Sequence, residues 1–207
     1  RAAMAGDLRG WVLAARRLSI MVVLGLGLAY FRLSGGSAAL ASIGLIAFAG
    51  MAQVLPALIG SVGQVSLGEA AMIGGWMAAG YSLAQFASGP FLGNLSDRYG
   101  RRPVLLLGFL GLGISFFGTA LTTTLWGLIA VRAAGGAMQA NAAIANAYVA
   151  DITPPEKRAK RFGMLGAMMG LGFIIGPVVG GLLGAIDLRL PFFLAGTLAM
   201  ANLLYGY

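Results

Sequence analysis

The chain has 207 residues, of which 59% are hydrophobic and 34 are glycine, while only 10% are charged against the quarter usual in globular domains. This composition excludes a soluble globular protein, and at roughly 20 residues for each membrane-spanning helix it allows about seven spans. The sequence contains neither cysteine nor histidine. Disulfides, thiolate nucleophiles, Cys/His zinc sites and Ser-His-Asp triads are therefore excluded, and we expect no catalytic residue, no metal and no enzyme activity.

The net charge of +8 arises from 14 Lys and Arg against 6 Asp and Glu. In a membrane protein such an excess indicates topology, because basic residues accumulate on the cytoplasmic side. The basic segments 98–102 and 157–161 are predicted to be cytoplasmic, and the turns at 122–124 and 187–189 are predicted to lie outside. The predicted partner is the lipid bilayer, and no nucleic acid is expected.

Long uncharged runs predict the helices, which makes this an all-α polytopic membrane protein. The predicted spans cover 38–60, 70–91, 103–121 and 125–150, with two more in the uncharged runs 162–186 and 190–207. A polar turn through Ser61, Gly63, Gln64 and Ser66 separates the first two. The 14-residue run 18–31 is short for a span, so it either crosses the membrane or lies along its cytoplasmic surface.

A conspicuous motif joins two of these helices: Gly93-Asn94-Leu95-Ser96-Asp97-Arg98-Tyr99-Gly100-Arg101-Arg102-Pro103. A tight turn explains Gly100, since glycine adopts backbone angles that other residues resist, and Pro103 suits the first turn of the next helix. An ordinary basic loop would explain the three arginines, but it explains neither Asp97 nor the glycine spacing. The segment resembles the G-x-L-x-D-R-x-G-R-R signature of the major facilitator superfamily.

That resemblance implies half of a major-facilitator fold, built from inverted three-helix repeats, with an extra N-terminal hydrophobic segment. In related transporters the acidic residue that ends the fourth helix pairs with the arginines of the signature, so the resemblance implies an ion pair of Asp151 with Arg101. A plain solvated charge is the alternative for Asp151. The residues to which the resemblance assigns cytoplasmic gating are Gly93, Asp97, Arg98, Gly100, Arg101, Arg102 and Asp151.

A second motif lies in the fifth predicted helix of the half. Gly172, Gly176, Pro177, Gly180 and Gly181 resemble the G-x-x-x-G-P-x-x-G-G pattern of drug:proton antiporters in the same superfamily. Glycines at i, i+4 spacing let another helix approach closely, and Pro177 can bend the helix. A general packing face of small residues would use the same glycines and stays open as the alternative.

A third stretch, 128–136, resembles the family's fourth helix with its buried arginine. Arginine within a span is expensive and is functional by default, although snorkelling of Arg132 to the headgroups is the alternative. At about 100° per residue, Arg132, Gln139 and Asn146 share one stripe. With Gln85, they are predicted to line a cavity for substrate or proton coupling.

A parallel polar stripe runs along the predicted helix 70–91. It consists of Tyr81, Gln85 and Ser88, and hydrogen bonding between helices is its alternative. After Asp151 the sequence predicts a helix start, with Thr153 as N-cap, Pro154 at the first position and Glu156 closing a capping box.

Shorter stretches at 74–76, 81–86, 147–152 and 191–193 resemble the tetracycline-efflux branch of the superfamily. We therefore divide the chain into residues 54–207, the N-terminal half of a transporter, and residues 1–53, a separate membrane segment. Residues 15–53 resemble the membrane region of sodium-symporter-like sensor histidine kinases. Gly44 stands where the efflux family has a first-helix carboxylate, and Glu69 at the outer end of its helix is not expected to replace it.

The resemblance implies proton-coupled efflux of tetracycline-like or other drugs by alternating access, in a bacterial-type inner membrane. The proton gradient would supply the energy without a cofactor. A small-molecule drug and a C-terminal transporter half missing from these residues would be the partners. The alternatives are a non-transporting membrane sensor or input domain of a signalling protein, or a nonfunctional fusion.

Overall fold

A computed structural model describes residues 54–138 and 141–206 of the chain. The described residues fold into helices joined by short turns and contain no strand, which confirms the predicted all-α fold. The helices are α1 (Val54–Gly63), α2 (Leu67–Tyr99), α3 (Arg101–Leu121), α4 (Leu125–Ala137), α5 (Asn141–Ile152), α6 (Pro155–Gly184) and α7 (Leu190–Gly206).

The predicted polar turn between the first two helices is confirmed, and the chain bends there by 112°. Gln64 adopts a positive φ of 55°. Ser66 then caps α2: its hydroxyl accepts the Glu69 N–H at 3.4 Å, while the Glu69 carboxylate accepts the Ser66 N–H at 2.9 Å. This reciprocal capping box satisfies two N–H groups that the helix itself leaves without partners. The Ser-x-x-Glu spacing in the sequence is the signal for this cap.

The signature segment is more helical than predicted. Instead of forming a loop from residue 93, α2 continues to Tyr99, and α3 begins at Arg101. The break is Gly100 alone, with φ 93° and ψ 156°, a conformation that residues with a Cβ resist. Pro103 lies in the first turn of α3, as predicted.

The predicted single helix over 125–150 is wrong. Its start is as expected, with the Thr124 hydroxyl accepting the Gly127 N–H at 3.2 Å, but α4 ends at Ala137 and α5 begins at Asn141. Gly135 and Gly136, directly before the end of α4, weaken the helix because glycine has a low helix propensity. In addition, the Met138 side chain packs against α3 at Gly111. A Cβ added to Gly111 would lie 2.6 Å from the Met138 Cβ.

The predicted cap of α6 is also wrong. Pro154, not Thr153, precedes the first helical residue, and it makes no capping hydrogen bond. The reason is that Pro155 holds Pro154 in an extended conformation, with ψ 145°, which delays the helix by one residue. The Thr153 side chain is buried instead, and its carbonyl oxygen accepts a hydrogen bond from Arg158 Nε at 3.1 Å.

The core lies around α3, which packs most extensively against α7 and also contacts α2, α4 and α5. Leu58, Ile59, Phe116, Leu128 and Phe192 are fully buried in it. The helix α6 packs against α5 and α7 and is mostly exposed. Large apolar side chains point outward from several helices, as expected for a surface in contact with lipid.

Within the described residues, α3 and α6 are long and apolar enough to cross a membrane, and α1 with α2 would form a third span if the bent pair counts as one. The helices α4, α5 and α7 are shorter, with 13, 12 and 17 residues. The uncharged runs of the sequence predict more full-length spans. The break after Ala137 accounts for part of the difference, because it divides one long apolar segment in two, and α7 is short in addition.

Candidate functional site

Arg101 joins the ends of three helices. Its Nη1 lies 2.6 Å from Asp97 Oδ1 on α2, and its Nε lies 3.0 Å from Asp151 Oδ2 on α5. The predicted pair of Asp151 with Arg101 is therefore confirmed. Because Gly100 is the only residue between α2 and α3, Arg101 stays beside the last turn of α2 and can reach both carboxylates.

This cluster is accessible to water. The side chains of Arg101, Asp97 and Asp151 are 28%, 64% and 56% exposed. Exposed ion pairs contribute about 0.2–1 kcal/mol each, so a modest change in free energy suffices to break them. These contacts are thus suited to form in one conformation and open in another. The gating role itself stays a prediction.

The other signature residues have different surroundings. The Arg98 guanidinium lies 5.6 Å from the centre of the Tyr99 ring, and the Arg102 side chain is exposed. Around Gly93, a Cβ would meet no atom within 4 Å. The backbone angles of Gly100 therefore explain why this position is a glycine. Neither backbone angles nor packing among the described residues explains the glycine at position 93.

Arg132, which the sequence predicts to lie within the membrane, contacts the neighbouring helix α2. Arg132 is half-buried, and its guanidinium lies 5.7 Å from the centre of the Tyr81 ring, within the range of a cation–π interaction. One turn later, a Cβ on Gly136 would lie 2.5 Å from the Tyr81 carbonyl oxygen. The backbones of α2 and α4 therefore touch at Tyr81, and this close approach brings Arg132 onto the ring.

Sequence reasoning did not predict this pairing. It placed Tyr81 and Arg132 on two separate stripes. Gly136, four residues after the arginine on the same helical face, permits a close approach but does not indicate which helix approaches. On the α2 stripe, Gln85 and Ser88 are both half-buried, and the Ser88 hydroxyl donates to the Gln85 carbonyl oxygen at 3.2 Å. Ser88 thus bonds within its own helix.

Arg132 and Asn146 do not share a stripe on one helix, because Arg132 lies on α4 and Asn146 lies on α5. The Asn146 side chain is exposed. Gln139 lies outside the described residues. A cavity lined by Gln85, Arg132, Gln139 and Asn146 stays a prediction.

The antiporter motif lies within the continuous helix α6, which includes Pro177. Gly172, Gly176 and Gly180 are buried, whereas Gly181 is exposed and has no atom within 4 Å of a would-be Cβ. At the end of the same row, a Cβ on Gly184 would lie 3.1 Å from Val54 Cγ2 on α1. Close approach of another helix is therefore observed at Gly184.

Glu69 is an exposed residue in the turn before the apolar part of α2. Hydrogen bonds from the Ser66 side chain and backbone hold the pKa of its carboxyl below the ordinary value. A carboxylate that stays ionised in water suits a helix cap rather than a proton carrier that works near neutral pH. Gly44, at the position of the missing carboxylate, lies outside the described residues.

Comparison with known sequences gives related proteins. The chain is 46% identical over 158 residues to the "Tetracycline resistance protein, class C" of Escherichia coli, which covers 76% of this chain and 40% of that protein. It is 33% identical over 156 residues to the "Multidrug resistance protein 2" of Bacillus subtilis (strain 168), which covers 75% of this chain and 38% of that protein. The chain thus spans about two fifths of the length of these relatives.

Solved structures show the same fold. The crystal structure of the human organic anion transporter MFSD10 superposes with a TM-score of 0.66 at 27% identity, over 92% of this chain and 46% of that one. The crystal structure of a D-xylose-proton symporter superposes with a TM-score of 0.64 at 20% identity, over 92% of this chain and 47% of that one. The relatives are transport and resistance proteins rather than enzymes. Since the family profile described as Major Facilitator Superfamily matches residues 40–207, the chain belongs to that superfamily and carries about half of its fold.

Proposed function

We propose that the chain is the N-terminal half of a proton-coupled exporter that moves tetracycline-like or other drugs out of a bacterial cell. The observation that carries this proposal is the 46% identity to a tetracycline resistance protein over 158 residues. The Arg101 contacts support it, since they tie together the three helix ends that an alternating-access transporter must hold and release.

In this proposal the drug enters a cavity between two six-helix halves in the inner membrane, and protons moving down their gradient drive its release. Arg132 is the cationic group of that cavity, held beside Tyr81 on α2. Gln85, Gln139 and Asn146 complete the polar lining. At the other end, Asp97, Arg101 and Asp151 close the cytoplasmic side and separate as the halves rock.

The alternatives for the chain are a non-transporting membrane sensor or input domain of a signalling protein, or a nonfunctional fusion, and residues 1–53 lie outside the described residues. They stay predictions, as does the boundary at residue 54.

Drug accumulation in cells tests the proposal. The chain is co-expressed with the C-terminal half of the Escherichia coli class C protein, because the chain covers only 40% of that relative. We expect cells that contain both halves to accumulate less tetracycline than cells with either half alone, and a protonophore to remove the difference. Unchanged accumulation, with both halves detected in the membrane, would contradict the drug assignment.

A further inference from the structure

Basic residues crowd the first two turns of α6. Lys157, Arg158, Lys160 and Arg161 lie within five positions, and all four side chains are exposed. Arg158 donates its Nε hydrogen to the Thr153 carbonyl oxygen. Within the described part of the chain, Lys157, Lys160 and Arg161 form no ion pair: Asp151 is bound to Arg101, and Glu156 lies one turn before Lys160 without an ion pair to it. These three cations are therefore available to an external anion.

The backbone at this point also favours an anion. Pro154 offers no capping side chain, so no side chain caps the start of α6, although Pro155 itself has no N–H group to donate to an anion. The Thr153 hydroxyl, the cap that the sequence predicts, is buried and has no hydrogen-bond partner among the described residues. The positive end of the helix dipole adds to the charge of the cations. Glu156, in the first turn of α6, carries a negative charge that offsets part of the positive charge of these cations.

The rest of α6 shows which kind of anion fits. Beyond the cations the helix becomes apolar, and Phe173, Ile174 and Val178 are exposed. At 100° per residue, Val178 lies directly in line with Lys160, and Ile174 lies within about 40° of it. At about 1.5 Å per residue, Lys160 and Ile174 are about 21 Å apart along the axis, comparable to the length of an acyl chain. A molecule with an anionic head and an apolar tail matches this face.

We propose that the first two turns of α6 bind the headgroup of an anionic phospholipid from the surrounding membrane. Lys157 and Lys160 act as point charges towards the phosphate, and Arg161 can bind two of its oxygens at once. The acyl chain lies along the exposed face that carries Ile174 and Val178. Neither a drug nor the second transporter half contributes a residue to this site, so this chain alone suffices to test it.

Lipid retention by the purified full chain tests this site. The chain in neutral detergent is titrated with phosphatidylglycerol or phosphatidylcholine of equal acyl length, and bound lipid is measured by native mass spectrometry. We expect wild-type chain to prefer phosphatidylglycerol, and Lys157→Gln/Lys160→Gln/Arg161→Gln to lose that preference by about fivefold for each removed charge. The charge-keeping variant Lys157→Arg/Lys160→Arg should retain it, and so should Arg189→Gln, which removes a cation from the turn before α7.

Two outcomes would overturn the proposal. One is an unchanged preference for phosphatidylglycerol in the triple variant. The other is displacement of the lipid by an equal concentration of inorganic phosphate, which would identify a soluble anion as the ligand. The melting temperature of each variant in lipid-free detergent is measured in parallel. If the triple variant does not fold, the single variants Lys160→Gln and Lys160→Arg make the same comparison.

Discussion

Replacing Gly136 by alanine is expected to lower the free energy of unfolding of the chain in detergent micelles by about 1–3 kcal/mol, as for other over-packed contacts. The added Cβ would lie 2.5 Å from the carbonyl oxygen and 3.0 Å from the Cα of Tyr81. Both are backbone atoms, so no side-chain rotation relieves the contact, and α2 and α4 have to separate. Equilibrium unfolding in mixed micelles measures the change.

The chain offers a matched control at Gly80, next to Tyr81 on α2. A Cβ there would meet no atom within 4 Å, so Gly80→Ala should be neutral or should stabilise the helix by up to about 1 kcal/mol. Equal destabilisation by both substitutions would mean that the helices do not touch at Gly136. Because Arg132 lies one turn before Gly136, Gly136→Ala should also disturb the contact of the arginine with the Tyr81 ring.

The second large effect is expected from Arg101→Gln, which removes both ion pairs that tie the ends of α2, α3 and α5. If these pairs form only when the cytoplasmic side is closed, their loss favours the open state. Two exposed pairs at about 0.2–1 kcal/mol each shift that equilibrium by about 2- to 30-fold. The chain contains no cysteine, so Ser88→Cys introduces a single reporter on α2.

The measurement is the rate at which a membrane-impermeant maleimide labels this cysteine from the cytoplasmic side. It is made in membranes that hold the chain and a cysteine-free second half. Arg101→Gln should raise the rate, and Asp151→Asn should raise it less, since Asp97 still pairs with Arg101. Arg158→Gln is the control, because Arg158 is held by the neutral Thr153 carbonyl. Equal rates in all variants would argue against gating by the Arg101 pairs.

Local sequence signals predicted those parts of the fold in which one residue decides the geometry. Gly100 was expected to turn the chain, and its φ of 93° confirms this. Two errors arose where neighbouring residues compete. Thr153 has the chemistry of an N-cap, but Pro155 restricts the residue before it and moves the helix start to Pro155. The glycine pair before Ala137 ends a helix that hydrophobicity alone would continue.

Contacts between helices were harder to predict. The pair of Asp151 with Arg101 was expected because the family resemblance linked the two, not because spacing showed it. No comparable signal joined Tyr81 to Arg132, since their contact depends on how closely α2 and α4 cross. That distance is determined by the missing side chain of Gly136, and a glycine in a sequence does not reveal which helix it will touch.

Exchange of drug for protons can be measured most directly in everted membrane vesicles that hold this chain and the second transporter half. Respiration acidifies the vesicle interior, and a pH-sensitive dye follows the gradient. When tetracycline is added, we predict a partial loss of the gradient as drug enters and protons leave, and no loss in vesicles with the second half alone. A gradient that tetracycline leaves unchanged, with both chains present and a protonophore still able to collapse it, would contradict proton-coupled drug export.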